Sequence, residues 1–335
     1  MADWRGRHVL ITGAAGFIGN ALSERLAALG ARVTGMVRRS VPGVWHDEFI
    51  CDLDVPEEQL LPESIHIVFH LAGRVHQPDD DPKVDTPYMR TNVAGTRWLL
   101  EAARAREVRR FVYVSSTKAM GEGTAETVDE ETRPRPQDAY GRSKLAAERL
   151  VLDAGSKTNL ETVVVRLPAV YGPGSKGNIA QMLERIRSGR FPPLPEFGNR
   201  RSLVHVANVV DALLLVGSHP NAAGEEFLVT DGCDRSTRAL YEAMCAALGK
   251  AVLPWSIPRW ALGLTARAGD GIADLTGLPV PMDSVRYSKL AGSASYSCEK
   301  LSSRLGYTPK HTLAQGLSAM VAELERAERS RQGER

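Results

Sequence analysis

The sequence predicts an α/β protein: a doubly wound parallel sheet with a smaller, discontinuous C-terminal domain. Three observations carry this. Short apolar runs alternate with helical patterns through the first half, a glycine turn TGAAGFIG (12–19) joins the first run to the first helical pattern, and the rhythm loosens after residue 174 into proline-rich segments. Strands separated by helices imply right-handed crossovers and therefore parallel pairing.

The elements follow in order. HVLIT (8–12) is a continuous apolar run, as expected for a strand buried on both faces, and FIGNALSERLAALG (17–30) has helical periodicity. RVTGMV (32–37) and IHIVFHLA (65–72) are further strands, a helix is expected around 87–106, and RFVYVSS (110–116) is a strand ending in two serines. The next helix starts near 138, with Asp138 as its N-cap. After TVVVRLPAVYGPG (162–174), the segment SLVHVANVVDALLLVG (202–217) reads as a strand and helix and EEFLVT (225–230) as a strand, both expected to rejoin the first sheet. The proline-rich stretch FPPLPEFGNRR (191–201) and a second such region near 251–285 belong to the smaller domain. The expected division is a nucleotide-binding domain over 1–170, completed by about 202–232, and a substrate-binding domain over 171–201 and 233–322. ELERAERSRQGER (323–335) closes the chain as a charged, fraying helical tail.

Among 335 residues, 43% are hydrophobic, which is ample for a packed core. Lysine and arginine total 42 against 40 acidic residues, a net charge of +2, and the cations are scattered as pairs such as Arg109–Arg110. That distribution argues against nucleic acid or an anionic membrane as partner. Cys51, Cys233, Cys245 and Cys298 lie far apart with no histidine at zinc-ligand spacing, so they read as reduced thiols and no metal is expected. The start MADWRGRHVLITG lacks the pattern of a signal peptide and no apolar run reaches membrane-spanning length. The expected location is cytoplasmic, without membrane insertion.

Gly13, Gly16 and Gly19 stand in G-x-x-G-x-x-G spacing between a strand and an amphipathic helix. Glycines there let the backbone approach a pyrophosphate, and the helix N-terminus offers N–H groups and a positive dipole end. This is a Rossmann-like nucleotide turn. Such turns are commonly followed, about 20 residues on, by an acidic residue that holds the ribose 2′-hydroxyl. Here the second strand ends MVRRS, with Val37 at that place and Arg38 and Arg39 behind it. Guanidinium groups grip a 2′-phosphate that a carboxylate would repel, so NADP(H) is expected in preference to NAD(H). The alternative is two solvated arginines beside a loop. Asp52 in CDLD (51–54) either touches the adenine edge or only ends a strand.

YGRSK (140–144) puts a phenol and an ammonium on one helix face, four residues apart. Bringing a phenol from a pKa of about 10 to near 7 takes about 4 kcal/mol. An ammonium about 4 Å away at a partly buried site supplies something of that order. The expectation is therefore an acidified Tyr140 beside Lys144, with the Ser116 hydroxyl, at the carboxyl end of its strand, sharing the proton of the reacting group. Taken singly, the three are an ordinary strand-end serine, an exposed tyrosine and a surface lysine.

These residues, with HLAG (70–73), TNVAGT (91–96), VSST (114–117), RLPAVYGPG (166–174), NRRSLVHV (199–206) and LGYTP (305–309), resemble the extended short-chain dehydrogenase/reductase family, in its nucleotide-sugar epimerase, dehydratase and reductase branch. The resemblance covers nearly the whole chain. It implies Ser116, Tyr140 and Lys144 as the catalytic group, with Lys144 also holding the nicotinamide ribose. It implies cofactor contacts from Gly13, Gly16, Phe17, Ile18, Gly19, Asp52, Leu53, Leu71, Ala72, Gly73 and Pro168, and from Asn92, which orders the neighbouring helix and strand. On the substrate side it implies Thr117, Lys118, Asn178 and Arg201 beside Ser116 and Tyr140, with Arg201 on the diphosphate. Asn92 as a helix-packing amide and Arg201 as a surface cation are the alternatives. A homodimer through two helices of each subunit, one bearing Tyr140, is also implied.

Departures narrow the chemistry. The family's 4,6-dehydratases carry an Asp–Glu pair directly after the catalytic hydroxyl residue, where this chain has Thr117 and Lys118. The resemblance then points to an NADPH-dependent reductase of a UDP-linked 4-keto-6-deoxy-N-acetylhexosamine, of the kind that makes UDP-N-acetylquinovosamine for bacterial surface polysaccharides. A UDP-hexose or UDP-N-acetylhexosamine 4-epimerase is the alternative. A catalytically inactive NADP(H)-sensing protein is a third reading, which the retained Tyr/Lys pair disfavours.

Overall fold

The computed structural model describes residues 3–56, 60–75, 85–122, 126–276, 280 and 282–333. The chain opens with β1 (His8–Thr12), α1 (Phe17–Ala28), β2 (Arg32–Val37), β3 (Asp47–Ile50) and β4 (Ile67–His70). A helical stretch follows: α2 (Thr86–Tyr88), a π-helical turn (Met89–Ala94) and α3 (Gly95–Ala105). Then come β5 (Arg110–Ser116), α4 (Ala139–Lys157), β6 (Glu161–Leu167) and β7 (Ala169–Tyr171). The remainder is α5 (Asn178–Arg187), β8 (Leu203–His205), α6 (Val206–Ser218), β9 (Glu226–Leu228), α7 (Thr237–Ala247), α8 (Arg259–Thr276), α9 (Ser284–Ala291), α10 (Glu299–Leu305) and α11 (Leu313–Gly333).

Seven strands form one sheet in the order β3-β2-β1-β4-β5-β6-β9, each neighbouring pair parallel. Successive strand residues serve opposite layers. Val9 and Ile11 pack with Leu22 and Leu26 of α1 and Val209 and Leu213 of α6, whereas Leu10 packs with Leu99 and Ala103 of α3 and Ala147 and Val151 of α4. That double burial is why the strands read as unbroken apolar runs. The chain winds outward from β1 in one direction and resumes at β4 in the other, so the carboxyl ends of β1 and β4 border the switch-point crevice.

A third core, around Tyr171, Leu183, Leu203, Met244 and Leu317, joins α5, α7 and α11 to the two-stranded parallel pair β7-β8. This corrects one expectation. Residues 225–230 do return to the main sheet through β9, but the strand at 203–205 pairs with β7 instead. β3 is the strand that Asp52 follows; its burial alternates at the sheet edge, which leaves no apolar run to mark its bounds. Helix α11 continues through the charged segment, where the Glu323 carboxylate accepts from Gly174 N at 2.8 Å and Glu328 pairs with Arg187. Among the described residues no helix is long and apolar enough to cross a membrane.

Candidate active site

The glycine turn is tight for a steric reason. Gly13 has φ +68°, and a Cβ there would lie 3.0 Å from Ala72 N. A Cβ on Gly19 would lie 2.1 Å from Gly13 O. Gly16 caps α1 with no side-chain hydrogen bond, so the helix N-terminus presents backbone N–H groups rather than a capping oxygen. This cradle fits a dinucleotide pyrophosphate. Phe17 borders it, within van der Waals reach of a Cβ built on Gly174 of the YGPG loop, while Ile18 packs against the α1 core. Leu71, Ala72 and Gly73 lie alongside, since Leu71 N and Ala72 N donate to Thr12 Oγ1 at 3.1 and 3.0 Å.

Val37 ends β2 and is buried; Arg38 and Arg39 follow it, both exposed, and among the described residues no carboxylate pairs with either. Asp52 is half-buried and accepts from Asp54 N at 3.0 Å, and Leu53 is buried against the Gly95 backbone. Pro168 separates β6 from β7 and is half-buried.

Asp138 caps α4 by accepting from Gly141 N at 2.7 Å, which starts the helix at Ala139, one residue before Tyr140. Tyr140 lies near Ser116, which ends β5 and whose hydroxyl accepts from Lys118 N at 3.2 Å. Burial pushes the Tyr140 phenol up to about 12, and the neighbouring Ser116 hydroxyl only partly offsets this. The expected acidification is thus not found: burial outweighs any help from Lys144 in the protein alone. Lys144 itself is only 4% exposed, donates to Val114 O at 2.7 Å, and lies 4.2 Å from the centre of the Tyr113 ring. Desolvation lowers its pKa to about 7, with Glu148 opposing.

Asn92 is buried in the π-helical turn and binds on two sides. Its Oδ1 accepts from Arg74 N at 2.7 Å, and its Nδ2 donates to Arg74 O at 3.0 Å and Ser143 Oγ at 2.9 Å. Ser143 Oγ in turn donates to Tyr140 O at 2.8 Å. Asn92 therefore fastens the segment after β4 to the first turn of α4.

On the substrate side, Thr117 is buried near Tyr296, whose hydroxyl donates to Gly121 O at 2.9 Å. Lys118 Nζ donates to Glu122 at 2.7 Å and lies 3.7 Å from Asp138. Asn178 is exposed at the first position of α5. Arg201 Nη1 donates to Lys289 O and Gly292 O at 2.8 and 3.0 Å, so this guanidinium secures the end of α9. Among the described residues, the two substrate-side positions in the C-terminal half, Asn178 and Arg201, make no hydrogen bond to Ser116, Thr117 or Tyr140.

Reading the residues alone missed Thr12, His70, Thr96 and Ser143. His70 is fully buried between Thr12 Oγ1 (2.7 Å from Nδ1) and Thr96 Oγ1 (2.9 Å from Nε2), and burial lowers its pKa to about 3. The available signal was a histidine closing an otherwise apolar strand.

A structure of MoeE5 in complex with UDP-glucose and NAD superposes with a TM-score of 0.72 at 27% identity, covering 96% of this chain and 99% of that one. A UDP-glucose 4-epimerase of Vibrio cholerae is 32% identical over 322 residues, 92% of this chain and 93% of that protein. A Stigmatella aurantiaca enzyme, 4-hydroxy-2-methyl-3-oxo-4-farnesyl-3,4-dihydroquinoline-1-oxide ketoreductase, is 27% identical over 92% of this chain and 94% of its own length. The sequence model of the NAD dependent epimerase/dehydratase family matches residues 9–229, from β1 through β9, and with that match this chain belongs to the family.

Proposed function

We propose that the protein is an NADP(H)-dependent oxidoreductase that transfers hydride at C4 of a nucleotide-linked sugar, reducing a UDP-4-keto-6-deoxy-N-acetylhexosamine. The observation that carries the reading is Arg38 and Arg39, exposed and unpaired by carboxylates among the described residues, directly after β2. Two guanidinium groups favour a 2′-phosphate, and an enzyme of net reduction must exchange its dinucleotide each turnover.

When bound, the dihydronicotinamide supplies the hydride. The chain's own residues do the rest. The Tyr140 phenol, held protonated by burial with its pKa about 12, gives its proton to the far more basic alkoxide oxygen as that charge develops. The Ser116 hydroxyl beside the phenol is placed to hydrogen-bond the reacting oxygen. Lys144 uses one of its three donors on Val114 O, and the others serve the nicotinamide ribose that the family resemblance assigns to it. Thr117 and Lys118, in place of an Asp–Glu pair, supply no base for removing water from the sugar. Arg201 and Asn178 are proposed for the diphosphate side.

A second reading is a UDP-hexose or UDP-N-acetylhexosamine 4-epimerase, favoured by the Vibrio cholerae relative and by the UDP-glucose and NAD in the MoeE5 structure. The test is incubation with the UDP-linked 4-keto sugar and NADPH, and separately with UDP-glucose or UDP-N-acetylglucosamine alone. Stoichiometric NADPH oxidation supports reduction. Interconversion of C4 epimers without added dinucleotide would replace it with the second reading. The cytoplasmic location and the homodimer are proposals of the same standing; sedimentation of the purified protein tests the latter.

A further inference from the structure

We propose that His70 is a positioning residue, whose ring ties the dinucleotide turn to the helix bearing Tyr140 through one directed chain of hydrogen bonds. The inference rests on the reading above, in which these two parts form one hydride-transfer site.

The direction of each bond follows from counting donors. Thr12 Oγ1 accepts from both Leu71 N and Ala72 N, so its own hydrogen is left for His70 Nδ1. The ring proton must then sit on Nε2, where it is donated to Thr96 Oγ1. Thr96 Oγ1 donates onward to Asn92 O at 2.6 Å. From Asn92 the side-chain amide reaches Ser143, and Ser143 reaches the Tyr140 carbonyl. Thr12 is the residue before Gly13, so the chain begins at the glycine turn and ends at the backbone carbonyl of Tyr140, the residue that bears the phenol.

Thr12, His70 and Thr96 are all at most 1% exposed. Water cannot substitute for a lost partner there, and an unpaired buried polar group is costly. Phe111 and Tyr113 flank the ring at 5.8 and 5.4 Å between centroids, so an apolar aromatic would satisfy packing alone. What a neutral imidazole adds over an apolar ring at this position is an acceptor facing Thr12 and a donor facing Thr96. Removing it frees the Thr12 hydroxyl to turn, loosening its hold on Leu71 and Ala72, which abut Gly13.

Thr12 and Thr96 lie on opposite sides of the ring, each bonded to it. The experiment is a double-mutant cycle of Thr12→Val and Thr96→Val, read as NADPH and NAD affinity by fluorescence titration of the full-length protein, with urea midpoints recorded in parallel. Each single variant should weaken dinucleotide binding by roughly fivefold, and the double variant should be no more than about twofold worse than the weaker single. In a His70→Phe background, itself weakened by about tenfold, Thr96→Val should change affinity by less than about twofold, whereas Thr12→Val, which also strips Leu71 N and Ala72 N of their acceptor, should still weaken it. Hydrogen exchange at amides 140–144 should slow on dinucleotide binding in the wild type and not in His70→Phe; a purely packing role would leave that response intact. Independent, multiplying effects of the two valines with His70 present would overturn the proposal. Should His70→Phe not fold, the cycle in the wild-type background decides alone. Failure of the wild type to bind any dinucleotide would sink the underlying reading as well, whereas binding with additive effects would sink only the role of His70.

Discussion

The Lys144 ammonium is bonded to the Val114 carbonyl at 2.7 Å, on the inner side of the sheet and over the Tyr113 ring, rather than to a carboxylate. A cation buried this way costs stability, and its pKa falls from 10.5 to about 7. Between those values the unfolded chain binds more protons at this residue than the folded one, so its contribution to stability rises with pH. Below pH 7 both states are protonated and the penalty is complete. Lys144→Met should therefore melt higher than wild type at pH 6 by a few kcal/mol, with the gain shrinking as pH rises toward 10. Calorimetry across that range checks the sign. The same variant should lose at least about 100-fold in kcat.

Tyr140 should retain its proton through the neutral and moderately alkaline range, since burial raises its pKa to about 12. The wild-type minus Tyr140→Phe ultraviolet difference spectrum of the free protein should show no phenolate band below pH 10. Turnover in Tyr140→Phe should fall by about 10²–10⁴-fold with dinucleotide affinity unchanged. A phenolate signal near pH 7 would restore the acidified pair expected from the spacing.

Asn92 has no solvent in which to replace its three protein partners. Asn92→Leu should lower stability by about 2–4 kcal/mol in urea melts. It should also lower kcat more than sugar affinity, because the amide supports the first turn of α4 rather than the substrate. Equal loss in both would place Asn92 elsewhere in the mechanism.

Arg38→Asp in a chain that also carries Arg39→Ala should reverse cofactor preference. The carboxylate would repel a 2′-phosphate and accept from a 2′-hydroxyl, so kcat/KM with NADPH should drop by at least about 100-fold while that with NADH rises. An unchanged ratio would show that the two arginines are merely solvated.

Gly19→Ala tests the turn itself. Its Cβ would lie 2.1 Å from Gly13 O, a backbone atom that cannot swing away as a side-chain tip can. Equilibrium dialysis should find dinucleotide binding reduced by more than about tenfold.

Much of this site was legible as local pattern. The run HVLIT, the glycines after it and the apolar helix next to them fix a strand, a sharp turn and an uncapped helix start, because each depends on neighbours within a few residues. Asp138 as the cap of α4 was legible for the same reason. The bounds of the edge strand β3 and the separate β7-β8 pair were not, since a three- or four-residue strand owes its existence to the partner beside it.

The sequence by itself determined the parallel α/β architecture, the crevice at the strand ends and which residue types meet there, since periodicity, glycine spacing and helix caps are short-range physics. Tertiary structure alone decided the electrostatics. Tyr140 and Lys144 do share a helix face, but folding also half-buries the first and buries the second, and desolvation outweighs the attraction that a spacing of four suggests. It alone also brought Thr12, His70 and Thr96 together from two strands and a helix, because hydrogen bonds between residues 26 and 58 positions apart exist only once the sheet has closed.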